Sequence, residues 1–186
     1  EIIFSKEKTV YDKVIELDIT NTSYYVLSRY LEMLYVTNYS KILLIHNTQE
    51  IHSHKLVRKK NIPVHVKTAI NRLKLRHIGM EVVSQTQGAT ELRCFLLDQD
   101  VSKVEKRIFF LFKEMVEDFF LELEHYSERS HESFYNHHDN LAKFITYYLR
   151  VLGQSPYRAE EKNQLFTLYW TIDKMIDKFR HLNDAV

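Results

Sequence analysis

Cysteine is nearly missing from this chain of 186 residues: the one thiol, Cys94, can form no internal disulfide and no thiolate zinc cluster. A reducing compartment is therefore expected, and the chain is read as cytoplasmic. Glycine (3) and proline (2) are as scarce. That excludes glycine-rich phosphate loops and the frequent tight turns of an all-β sandwich, and leaves helix as the dominant element. Long apolar runs are also lacking. The longest, Ile108 to Phe112, has five residues, against the ~20 needed to span hydrocarbon, so no membrane insertion is expected. The chain opens at Glu1 without an initiator methionine, which reads as a piece of something longer. No G-x-x-x-x-G-K, G-x-G-x-x-G, H-E-x-x-H or G-x-S-x-G occurs, and no catalytic role is assigned to any residue. Cys94, between Arg93 and Phe95 in an apparent strand, reads as a small core residue.

Acidic residues are absent from one long stretch. Between Ile51 and Met80 there are none, while Lys55, Arg58, Lys59, Lys60, Lys67, Arg72, Lys74 and Arg76 are cationic. The net charge of +1 conceals this asymmetry. Two readings of the stretch stand side by side: a solvated face, or a surface for an anion or a partner made by Lys55, Arg58, Lys59, Lys60, Arg72, Lys74 and Arg76. Nucleic acid along residues 55–76 is a rival partner. It is weakened because no aromatic residue interrupts the charge there to stack on bases.

Hydrophobic periodicity divides the chain near residue 98. Ile15, Leu17 and Ile19 alternate with Glu16 and Asp18, as in a half-buried strand. Thr20, Asn21 and Thr22 offer caps for a helix running to about Thr37, and Lys41 to Ile45 reads as a short strand. Asn61, with Pro63 at a first-turn position, predicts a helix to about His77 closed by Gly79, and Met80 to Leu97 predicts a hairpin about Gln87 and Gly88. Beyond Asp98 and Asp100, which can cap, Ser102 and Glu105 stand three apart as in a capping box, and three helices follow: a first of about 26 residues, a second over 131–152 ended by a break from Gly153 to Pro156, and a third over 157–182. Leu123 and Leu168 are placed on their inward stripes. The expected fold is α+β: an α/β domain over 1–97, ordered β-α-β-α-β-β as four strands and two helices, then an up-down-up three-helix bundle over 98–186. Phe110, Phe120, Tyr147 and Trp170 fall outside the main stripes, which predicts a homodimer covering them.

Histidine supplies the remaining signal. His137 and His138 with Asp139 interrupt the apolar stripe of the second bundle helix between Phe134 and Leu141, and Asp173 interrupts the third. A polar break inside a bundle is hydrogen-bonded, metal-bound or placed at a wet opening. A divalent metal held by His137, His138, Asp139 and Asp173 is thus one alternative, giving a metal-binding helical sensor, and a hydrogen-bonded histidine is the other.

Tyr30-Leu31-Glu32-Met33-Leu34-Tyr35-Val36-Thr37-Asn38-Tyr39-Ser40-Lys41-Ile42 resembles the "alYlaGydkI" turn of the archaeal branch of the PhoU family of phosphate-uptake regulators. Asn71-Arg72-Leu73 followed by Ile78-Gly79-Met80-Glu81-Val82 is similar to its "R-L-I-G-x-E-I" segment, and Val101 to His125 is similar to its first PhoU helix. The resemblance covers about 140 to 170 residues. It implies a non-enzymatic regulator or adaptor acting in phosphate uptake and transcription regulation, through contact with a phosphate transporter or sensor component. It also implies a DNA-binding AbrB-like domain upstream, so that DNA binding would belong to a part not present in this sequence. At the family's metal motif on the second helix this chain has His138 and Ala142, with Asp139 adjacent and Asp173 near the third-helix motif.

Overall fold

The computed structural model describes residues 13–55, 60–96, 100–125 and 128–183. The expected α+β architecture is present: a mixed sheet comes first and three long helices pack together after it.

Strand β1 (Val14–Asp18) leads into helix α1 (Tyr24–Val36), and β2 (Lys41–Ile45) returns parallel to β1, with Val14 opposite Lys41 and Asp18 opposite Ile45. The cap of α1 is Ser23, whose hydroxyl accepts the Val26 N–H, rather than any of the three residues before it. The helix stops at Asn38, which adopts a left-handed φ of 68°. Asparagine tolerates that conformation better than most side chains, so it serves here as glycine would.

The acid-free stretch folds differently from its sequence expectation. No helix starts at Asn61 and Pro63. Strands β3 (Glu50–Lys55) and β4 (Lys60–His65) pair antiparallel, with Lys55 opposite Lys60 and His52 opposite Pro63. Helix α2 is confined to Val66–Lys74 and is capped by His65, whose Nδ1 accepts the Lys67 N–H. Proline is acceptable in this ladder because a two-stranded sheet consists only of edges. Gly79 has the expected left-handed φ of 76°. β5 (Met80–Gln85) and β6 (Ala89–Cys94) then form the expected hairpin, and the main sheet is ordered β1-β2-β6-β5.

The second portion consists of α3 (Val101–Glu124), α4 (Glu128–Gln154) and α5 (Ala159–Asn183). Asp100 caps α3, accepting the N–H groups of Ser102 and Lys103. Cross-contacts fix the directions. Asp118 meets His137 while Arg107 lies over Phe144, so α3 and α4 are antiparallel. His138 meets Asp177 and Tyr148 stacks near Tyr169 at 3.9 Å, so α4 and α5 are antiparallel too. The bundle is up-down-up. Phe119 against Phe179 and the 2.5 Å bond from Tyr169 Oη to Glu105 Oε1 join α3 to α5.

Three sequence placements change. Leu123 and Leu168 are exposed, and the inward positions near them are held by Phe119, Glu122 and Tyr169. Tyr147 is buried, whereas Phe110, Phe120 and Trp170 are exposed as expected. Helix α4 ends at Gln154, inside the expected break from Gly153 to Pro156. A Cβ at Gly153 would lie 2.5 Å from the side-chain amide nitrogen of Asn38, so the glycine leaves room for that side chain, which would otherwise have to swing aside.

One hydrophobic cluster runs through both portions, from Ile42, Leu44 and Leu92 in the sheet through Leu31 and Leu34 of α1 to Leu141, Ile145 and Leu152 of α4. No described helix is long and apolar enough to cross a membrane.

Candidate functional site

Helices α1 and α2 of the first portion and α4 and α5 of the bundle enclose a cleft of about 690 Å³. The elements around it each contribute charge. Arg72 on α2 and Arg76 just after it stand on one wall, and Lys143 on α4 is on another. His138, Asp139 and Asp173 also line the cleft, together with Asp177 and Arg180 of α5. The fold therefore brings two sets of residues that are far apart in sequence, the basic stretch and the bundle histidine, to one place.

Within it the acids are already occupied. His138 is buried, and its Nδ1 lies 3.1 Å from Asp139 Oδ1 while its Nε2 faces Asp177 Oδ1 at 3.4 Å. Burial pulls the imidazole's proton affinity down, but the two carboxylates outweigh it and hold the ring above its ordinary value. The same contacts hold Asp139 and Asp177 below theirs. Asp173 is bonded to Lys174 at 2.7 Å, and Arg180 reaches Asp177 at 3.4 Å. Among the described residues Arg72, Arg76 and Lys143 reach no carboxylate within ion-pair distance. These three are the cations left facing the cleft.

A second cleft of about 600 Å³ lies along α1, α4 and α5 and shares Arg29 and Glu32 with the first. Those two form an ion pair at 2.9 Å on the common wall. Its lining is largely apolar, with Met33, Val36, Leu149, Leu152, Phe166 and Trp170. Phe166 and Trp170 are stacked, and the Lys174 ammonium sits 4.4 Å from the Trp170 ring centroid.

The other residues singled out from the sequence lie elsewhere. His137 turns toward α3, with Nδ1 2.6 Å from Asp118 Oδ2 and Nε2 3.7 Å from Glu114 Oε2. It is thus not joined to His138, and the four residues of the metal alternative do not form one set. No group of three or more His, Cys, Asp or Glu among the described residues is arranged to hold a metal ion. Lys74 is bonded to Glu81 at 2.5 Å, away from the cleft lining. Lys55 and Lys60 occupy opposite register positions in the β3–β4 ladder, and Arg58 and Lys59 lie outside the described residues.

Arg150 is the residue that sequence reasoning missed. Its side chain is wholly buried on α4, with no carboxylate beside it. Its Nη1 donates to the Tyr35 carbonyl, and its Nη2 donates to those of Tyr39 at 3.2 Å and Cys94 at 3.5 Å. The guanidinium also lies 4.7 Å from the Tyr35 ring centroid. The last turn of α1 has no basic residue of its own, so a cation from the bundle stands at its negative end. One signal in the sequence points to it: Arg150 is the only charge between Phe144 and Leu152, a stretch with the periodicity of a buried helix. Burial pushes the neighbouring Cys94 thiol up to about 11, so it stays protonated at neutral pH.

Comparisons of the chain with family models, with curated proteins and with solved structures give no significant match.

Proposed function

We propose that the protein is a non-enzymatic regulatory adaptor that binds a segment of a partner protein along the two adjoining clefts. The observation that carries this reading is the division of labour across the Arg29–Glu32 pair. On one side is an apolar trough floored by Leu149, Leu152 and the Phe166–Trp170 stack; on the other, the cations Arg72, Arg76 and Lys143 face a cleft without ion-pair partners. Apolar side chains beside an anionic group, either a carboxylate or a phosphorylated residue, are the chemistry that suits both. The resemblance in the first portion and α3 supports a role in control of phosphate uptake, with a transporter or sensor component as that partner. The nucleic-acid alternative receives less support, because the basic stretch is split between a hairpin, a bonded Lys74 and the cleft wall.

Affinity capture from native lysate tests the proposal. The intact chain should retain transporter or sensor subunits, and Arg72→Glu/Arg76→Glu should lose them while keeping its circular dichroism. Retention of only ribosomes or DNA, or equal capture by both proteins, would overturn it. The chain's single tryptophan, Trp170, lines the apolar trough, so its emission should shift when a captured partner segment is added as a synthetic peptide.

A further inference from the structure

Helix α3 exposes large apolar side chains in an order that has its own symmetry. Phe109 is 54% exposed, Phe110 49%, Phe120 58% and Leu121 56%. With Leu123 at 45%, five hydrophobic groups of this size near half exposure on one helix are unusual on a surface that faces only water, and the first four gather about one charged strip. At 3.6 residues per turn, Lys106, Lys113, Glu117 and Glu124 fall in one strip about 40° wide, and all four are exposed. Phe110 and Leu121 flank that strip on one side and Phe109 and Phe120 on the other.

The strip reads the same in both directions about residue 115, with the sign of charge reversed. Phe109 corresponds to Leu121, and Phe110 to Phe120. Lys106 corresponds to Glu124, and Lys113 to Glu117. When two copies of one helix pack antiparallel about a two-fold axis, residues whose numbers sum to a constant lie at the same level. With the axis at the level of residue 115, flanks on the same side of the seam abut, so Phe110 of one copy meets Leu121 of the other and Phe109 meets Phe120, while every lysine of the strip lies at the level of a glutamate of the other copy. A heterologous partner would not require this internal order; a second copy of the same helix does.

We infer that α3 is a homodimer interface, with the α3 helices of two chains antiparallel about residue 115. The pairing covers the rows from residue 106 to residue 124, about 27 Å of helix at 1.5 Å per residue. Within one chain Lys113 and Glu117 already approach to 3.5 Å, but both remain largely exposed. Such a pair contributes little alone and is free to join a four-charge network across the axis. This inference concerns α3 and does not depend on what occupies the clefts beside α1 and α5.

Sedimentation equilibrium of the intact chain, from about 1 to 100 µM, tests it. The chain should dimerise over that range. Phe120→Asp should be monomeric throughout, and Lys113→Glu should weaken association ~10-fold or more, since it sets two glutamates against each other twice per dimer. Lys113→Glu/Glu117→Lys should return to within about threefold of the original constant, because the reversed charges again alternate. That rescue separates the inference from misfolding of a single variant, as does the conservative Phe120→Leu, which should still dimerise. A monomer at 100 µM, or a dimer indifferent to Phe120→Asp and to Lys113→Glu, would overturn it.

Discussion

A buried guanidinium without a counter-ion is costly, and Arg150 keeps its place because three backbone carbonyls accept from it. The Tyr35 carbonyl, at the end of α1, also accepts the Asn38 N–H at 3.1 Å, while those of Tyr39 and Cys94 lie in the turn after α1 and at the end of β6. Arg150→Met preserves most of the volume but removes the guanidinium donors from all three carbonyls, leaving Tyr35 only its backbone donors. It is expected to cost about 3 to 5 kcal/mol, read from urea denaturation. A loss below about 1 kcal/mol would mean that the carbonyls find other donors.

His77 is a second buried polar residue, with opposite consequences. Its Nδ1 lies 3.1 Å from the Leu73 carbonyl and its ring is 4.8 Å from that of Tyr35. Burial, more than the nearby Arg76, Lys143 and Arg150 charges, pulls its proton affinity from the ordinary 6.5 down to about 4. The unfolded chain therefore binds a proton that the folded chain refuses between those values. Stability is full above pH 6.5 and falls as the pH drops toward 4, by on the order of 3 kcal/mol from this residue. His77→Gln retains a donor for the Leu73 carbonyl and does not titrate. Its stability should therefore decline less than that of the original chain between pH 7 and 4.5, as measured by urea melts at each pH. An equal decline would assign the acid sensitivity to other groups. His138 works in the other direction: its raised proton affinity adds stability below the ordinary histidine value, and that contribution is lost as the pH rises through its folded value.

At the scale of elements, the legible parts were those whose signals are local. The alternation of Ile15 and Leu17 with Glu16 and the left-handed Gly79 each depend on a few adjacent residues, and each appears as read; of the caps offered before the first bundle helix, Asp100 is the one used and the Ser102–Glu105 box is not. The β3–β4 hairpin was not legible. Pro63 is as compatible with the first turn of a helix as with an edge strand, and the pairing of Glu50 with His65 is a contact across the whole hairpin. The bundle's inward stripe was legible to within a residue. Its departures, at Leu123 and Leu168, arise because an apolar residue on the flank of a stripe carries the same period as one on its centre. The site was legible only in pieces. Arg72 and Arg76 could be singled out, and so could His138 and Asp139. That they share a cleft depends on how α2 sits against α4, and no spacing along the chain encodes that.

For the whole molecule, the change in hydrophobic period near residue 98 suggests two bodies, yet their packing argues for one thermodynamic unit. Separate domains meet through modest, polar interfaces. Here the junction contains part of the main core: Leu31 and Leu34 of α1 and Leu141, Ile145 and Leu152 of α4 belong to one buried cluster, and Arg150 crosses the same junction to bind α1 and β6. Gln154 Nε2 adds a 2.7 Å bond to Asn38 Oδ1, whose side chain occupies the room that Gly153 leaves. Exposing either half alone would uncover this apolar surface and break the Arg150 bonds to the Tyr35, Tyr39 and Cys94 carbonyls, so neither half gains by unfolding before the other. Differential scanning calorimetry should accordingly show one transition, with calorimetric and van't Hoff enthalpies per chain in a ratio of about one at low protein concentration. Two resolved transitions, or a ratio near two, would show that the sheet and the bundle melt independently and that the junction transmits no cooperativity. A single transition would mean that a ligand held between α1 and α5 stabilises sheet and bundle together, since both walls of its site belong to the same folding unit.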